Sequence, residues 1–87
     1  MTEEKQIRFF GTTWCGDCRR SKNVFAEMGI SYLWFDVDQN KQAETFVKSA
    51  NKGLCRVPTI VFPDGTILVE PSNPVLIDKL RQFQAQA

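Results

Sequence analysis

Seven stretches of the chain carry a hydrophobic pattern: four short and dense, three spaced at three and four residues. Residues 6–10 form a dense apolar run and predict a first strand, with a turn at 11–13. After Cys15 the apolar residues Val24, Phe25 and Met28 recur at helical spacing, with Cys18 and Ser21 on the same stripe. Arg19, Arg20, Lys22, Asn23 and Glu27 fill the other faces, and Gly29 supplies a stop. This predicts an amphipathic helix over 15–28. Residues 30–37 are rich in aromatic and branched side chains and predict a second strand. Asp38, Gln39 and Asn40 offer N-caps for a second helix, whose apolar face is Ala43, Phe46, Val47 and Ala50 and which ends near Gly53.

Residues 58–62 predict a third strand, Pro63-Asp64-Gly65 a turn, and residues 66–69 a fourth strand that pairs back as a hairpin. Residues 70–74 break the pattern. Asn73 can then cap a third helix with Pro74 at its first position. Leu76, Ile77, Leu80 and Phe83 give that helix its buried side, and residues 84–87 are expected to fray. The order is β-α-β-α-β-β-α. A crossover helix demands parallel strands in the first half, and the second half is a hairpin with a covering helix. The expected fold is therefore α/β: a four-stranded mixed sheet flanked by three helices, in a single domain over 1–87.

Composition agrees with one globular core, at 43% hydrophobic and 24% charged over 87 residues. The net charge of +1, without a run of like charge, gives no footing for a nucleic-acid partner. The first six residues are polar and mixed in charge, unlike a secretory leader, and no apolar run is long enough to cross a membrane. The expected address is the cytoplasm, where paired cysteines mean metal binding or redox catalysis more often than structural disulfides. There are three cysteines and no histidine, which removes Cys–His and Ser–His catalysis.

Two of the cysteines, Cys15 and Cys18, lie three apart where the first strand hands over to the first helix. At a helix N-terminus, unpaired N–H groups and the macrodipole favour negative charge on a sulfur. Asp17 opposes that effect, and Arg19 and Arg20 offset part of the opposition. Cys15 is thus the candidate nucleophile. Cys18, one turn deeper on the buried stripe, is the candidate resolving thiol that attacks a mixed disulfide on Cys15. Gly16 leaves room for another chain to approach the sulfur. Trp14 reads either as a docking surface for substrate or as a packing residue. A structural zinc site needs four ligands, and one cysteine pair plus Cys55 does not supply them, so no metal is expected. Cys55 reads either as a second redox thiol or as a small inert residue, partly buried.

With these residues in view, the chain resembles the thioredoxin superfamily in its short glutaredoxin form, and within it the mycoredoxin-like branch. Thr12-Thr13-Trp14-Cys15-Gly16-Asp17-Cys18, Val57-Pro58-Thr59 and the turn Pro63-Asp64-Gly65 carry the likeness. The resemblance implies a thioredoxin-like fold and a dithiol enzyme that reduces protein disulfides or mixed disulfides with a small thiol. It implies a cis Val57-Pro58 bond beside Cys15, with the Val57 backbone offered to the substrate. It implies a monomer with no bound cofactor. An alternative within the family is a dimer bridged by an iron–sulfur cluster through Cys15 and external thiols. Two departures bear on the reductant. Arg56 stands where glutaredoxins carry Thr before Val-Pro, and residues 68–73 replace a Gly-Gly-x-Asp segment that helps hold glutathione. Glu70 would repel a carboxylate there, whereas Arg56 and the helix start at Ser72 and Asn73 would attract one. Mycothiol, glutathione, another small thiol and a reductase all remain open as electron donors.

Overall fold

The computed structural model describes residues 5–86. The expected order of elements is present: β1 (Arg8–Gly11), α1 (Gly16–Met28), β2 (Leu33–Asp36), α2 (Lys41–Ala50), β3 (Thr59–Val61), β4 (Ile67–Val69) and α3 (Asn73–Gln86). The strands lie in the order β2-β1-β3-β4. β1 runs parallel to β2 and antiparallel to β3, and β3 is antiparallel to β4. This is the thioredoxin-like arrangement of a mixed sheet with three helices.

Alternation along β1 divides the core. Ile7 and Phe9 point to one face, where they pack with Cys18, Val24, Phe25, Ile60, Phe62, Leu76 and Leu80. Phe10 points to the other, where it packs with Val37, Ala43, Val47 and Val61. Helices α1 and α3 therefore cover one face and α2 the other. Aromatic contacts dominate both layers: Phe9 meets Phe25, Tyr32 and Trp34, and Phe10 stacks on Phe35 and Phe46.

Several boundaries differ from the sequence reading. Gly11 is not a turn residue but the last residue of β1, opposite Asp36. The second strand is shorter than residues 30–37, because Ile30 and Tyr32 pack on the core before the ladder with β1 begins. Asn40 is the cap that α2 uses, its side chain accepting from the Ala43 N–H at 3.0 Å. Ala50, assigned to the apolar face of α2, is exposed. Ser72, not Asn73, caps α3: its hydroxyl accepts from Val75 N–H and its carbonyl from Leu76 N–H. Pro74 is then the second helical residue, where a missing N–H still costs nothing. Asn73 is occupied elsewhere, as described below. α3 does not fray at Gln84 but continues to Gln86, with the Gln84 amide donating to the Met28 carbonyl. Residues 1–4 and Ala87 lie outside the described residues. No helix among the described residues is long and apolar enough to cross a membrane.

Candidate active site

Cys15 sits between strand and helix as the N-cap of α1. Its sulfur takes the place of the usual capping oxygen, accepting from the Cys18 N–H at 3.4 Å. Its thiol faces the Val57 carbonyl at 3.9 Å across a cis Val57-Pro58 bond. Pro58 stands just before β3, and its carbonyl accepts from the Glu70 N–H just beyond β4 at 2.8 Å. Behind the turn, buried Thr59 donates its hydroxyl to the Arg56 carbonyl at 2.7 Å and accepts from the Asn51 amide. Those two side chains fix the backbone on which Val57 is carried.

Cys18 lies wholly buried on the inner stripe of α1. Burial pushes its thiol up to about 12, the Cys15 thiol adds to the rise, and the Thr12 backbone N–H and the Lys22 charge act against it. All three cysteines are free thiols, and the Cys15 and Cys18 side chains are hydrogen-bond neighbours. They differ in access: Cys15 is half-buried and Cys18 is closed off. Gly11 makes this closure possible. A Cβ there would lie 2.6 Å from Cys18 Sγ and 3.0 Å from the Trp34 ring. Gly16 has open space where its Cβ would be.

Trp14 is 69% exposed, so it is not a packing residue. Its indole N–H donates to Asp38 Oδ2 at 2.7 Å, and Asp38 N–H in turn donates to Asp36 Oδ1 at the end of β2. The ring is thus tied to the sheet although its faces meet solvent. Asp17 is met by Arg20, whose guanidinium also donates to Asn73 Oδ1 at 2.6 Å and to the Pro71 carbonyl. That link joins α1 to the start of α3 and takes Asn73 away from capping. Arg56 pairs with Glu70 at 3.3 Å. The two residues expected to act in opposite senses on a ligand carboxylate therefore act first on each other. Glu70 holds this place with a left-handed backbone, φ 48°. Cys55 is exposed, which corrects the partly buried reading of it.

The sequence pattern did not point to Gly11, Lys22, Trp34, Asp38 or Asn51 as parts of the site. Each acts through a tertiary contact with a distant residue or through packing on the sheet. Thr59 did carry a signal, as the third residue of Val57-Pro58-Thr59. Among the described residues, no group of three or more His, Cys, Asp or Glu lies close enough together to hold a metal ion.

Residues 7–67 match the family model described as glutaredoxin. A protein of Mycobacterium tuberculosis (strain H37Rv) that carries the glutaredoxin name is 39% identical over 74 residues, covering 85% of this chain and 88% of its own. Mycoredoxin 1 of Corynebacterium glutamicum is 33% identical over 81 residues, covering 93% and 96%. Among solved structures, a wheat glutaredoxin superposes with a TM-score of 0.72 at 16% identity, covering 99% of this chain and 91% of its own. A buckwheat glutaredoxin, solved in complex with glutathione, gives 0.67 at 21% identity, covering 93% and 74%. At those identities the two structures speak to the fold alone.

Proposed function

The chain belongs to the glutaredoxin family and is a dithiol thiol–disulfide oxidoreductase, and from that premise we propose how its residues divide the work. Cys15 is the nucleophile. As a thiolate it attacks one sulfur of a substrate disulfide, forms a mixed disulfide and releases the other half as a thiol. Cys18 then attacks Cys15 Sγ, the internal disulfide forms, and the second substrate thiol leaves. Both electrons come from the cysteine pair, and the two protons end on the two released thiols. Two molecules of a small thiol restore the dithiol by the reverse sequence.

The observation that carries this reading is the inequality of the two sulfurs. Cys15 caps the helix with access to solvent, its sulfur accepting from the Cys18 N–H, and the Cys18 thiol is buried behind it. Substrate lies along the Val57 backbone beside Pro58, with Gly16 leaving room for it and Trp14 offering an apolar face. Arg56 contributes from the far side while paired to Glu70. The substrates are proteins carrying disulfides or mixed disulfides. The reductant is a low-molecular-weight thiol, mycothiol or glutathione. Mycothiol is favoured because Arg56 is already neutralised by Glu70 and does not stand free for a carboxylate. The enzyme works as a cytoplasmic monomer of one domain.

One set of assays tests this. Reduction of a mixed disulfide is followed with mycothiol, glutathione or a thioredoxin reductase as electron source. Turnover is expected with mycothiol above glutathione, and none in Cys15→Ser. Cys18→Ser is expected to accumulate mixed disulfides with protein substrates. Full activity in Cys15→Ser would refute the assignment of the nucleophile, and turnover with the reductase alone would refute the small-thiol donor.

A further inference from the structure

Cys18 must attack while shut away from water, and burial opposes the thiolate it needs. Lys22 lies four residues further along α1, on the same face of the helix. Its ammonium rests 3.5 Å from the centroid of the Trp34 ring. Trp34 stands on β2 opposite Phe9, so it faces the same side of the sheet as Cys18. The ring edge and Cys18 Sγ close on one spot above Gly11, as the space for a Cβ there makes plain. The indole is therefore a shared wall, with the sulfur at its edge and the cation on its face. A lysine on a flexible stem is held in place by that ring.

The other charged and titratable groups nearby are spoken for. Cys15 shares the site and raises the Cys18 thiol. Asp17 on α1 is engaged by Arg20, which the start of α3 also holds. Arg8 on β1 points to the opposite face, over Phe10 and Phe46. Asp36 on β2, opposite Gly11, turns an oxygen to the Asp38 N–H. The Tyr32 phenol is raised by burial and stays neutral. Lys79 on α3 is bound to Asp64. Among the described residues, Lys22 is the cation whose charge favours the Cys18 thiolate.

We propose that Lys22, seated on Trp34, is the positioning residue that readies Cys18 for the resolving attack. The proposal rests on the roles given above to Cys15 and Cys18. Cys18 gives its proton to solvent and the ammonium stabilises the sulfur that remains. That sulfur bonds to Cys15 Sγ, the bond from Cys15 to the substrate sulfur breaks, and the departing thiolate takes a proton from solvent. Lys22 keeps its own protons throughout.

A stopped-flow reaction with 5,5′-dithiobis(2-nitrobenzoate), in a Cys55→Ser background, separates the two steps. The first phase of nitrothiobenzoate release scales with reagent and reports attack by Cys15. The second is independent of reagent and reports resolution by Cys18. In Lys22→Gln the second phase is expected to slow by roughly fivefold or more at neutral pH, with its pH midpoint moved upward. The first phase should stay within about twofold of the wild type, because the Cys15 sulfur keeps its helix-start donors. Lys22→Arg should restore the second phase, and Trp34→Leu should slow it. A second phase in Lys22→Gln with the wild-type rate and pH midpoint would overturn the proposal. So would a Lys22→Arg variant as slow as Lys22→Gln. A wild type that shows no second phase at all would overturn the assignment of Cys18, and this inference with it.

Discussion

At the scale of single residues, the thiol of Cys18 ties chemistry to stability. Its pKa stands at about 12 in the folded chain against an ordinary value of 9.0. The folded state holds that proton more tightly than the unfolded chain does. The stability this contributes is whole below about pH 9 and is lost as the pH rises toward about 12. Tyr32, also raised by burial, adds to the loss from about pH 10 upward. The urea midpoint of the reduced protein is therefore expected to fall as the pH rises from about 9 to 10.5, and Cys18→Ala should flatten that fall. Gly11 supplies a second expectation. A methyl group there runs into Cys18 Sγ and the Trp34 ring. Gly11→Ala should cost about 1–3 kcal/mol in urea unfolding, and it should slow resolution by displacing the sulfur. The spacing of Cys15 and Cys18 could be read directly from the chain. The need for Gly11 could not, because it comes from an indole 23 positions away on another strand.

At the scale of elements, helices announced themselves better than their ends did. Hydrophobic spacing placed α1, α2 and α3 correctly, since each buries one stripe. The start of α3 was misread by one residue. Ser72 and Asn73 are both good capping residues, and local sequence cannot choose between them. Arg20 makes the choice from α1 by binding Asn73 Oδ1. This separates two variants. Ser72→Ala should cost about 0.5–1 kcal/mol in chemical unfolding, the low end for a cap, because its hydroxyl bond is long at 3.4 Å. Asn73→Ala should leave the cap intact and loosen the join between α1 and α3, seen as faster hydrogen exchange at Leu76 and the residues after it. The strands were overdrawn for a related reason. Ile30 and Tyr32 are apolar because they pack, although they make no ladder bonds.

At the scale of the whole molecule, the sheet separates structural from chemical duty. The face covered by α1 and α3 holds Cys18, Trp34 and Phe9. The face covered by α2 holds Phe10, Val47 and Val61 and, among the described residues, no sulfur. Phe10→Ala should thus cost about 3–5 kcal/mol in urea unfolding and leave the alkylation rate of Cys15 in the folded fraction close to that of the wild type. The topology was legible because one crossover helix and one tight turn at Asp64-Gly65 leave few ways to order four strands. The Arg56–Glu70 pair was not legible. Its partners lie on either side of a hairpin, and the register that brings them together follows from Thr59 facing Val69.

The two tryptophans have a consequence for anyone who watches this protein react. Each reactive sulfur has an indole of its own, Trp14 next to Cys15 in the chain and Trp34 against Cys18. One ring is bathed in solvent and the other is half-buried beneath an ammonium. Their emission should therefore differ in colour and in response to quenchers. Trp34→Phe leaves a lamp on the attacking thiol, and Trp14→Phe leaves one on the resolving thiol. The enzyme carries its own two-channel recorder, and no dye needs to be attached to follow the order of events.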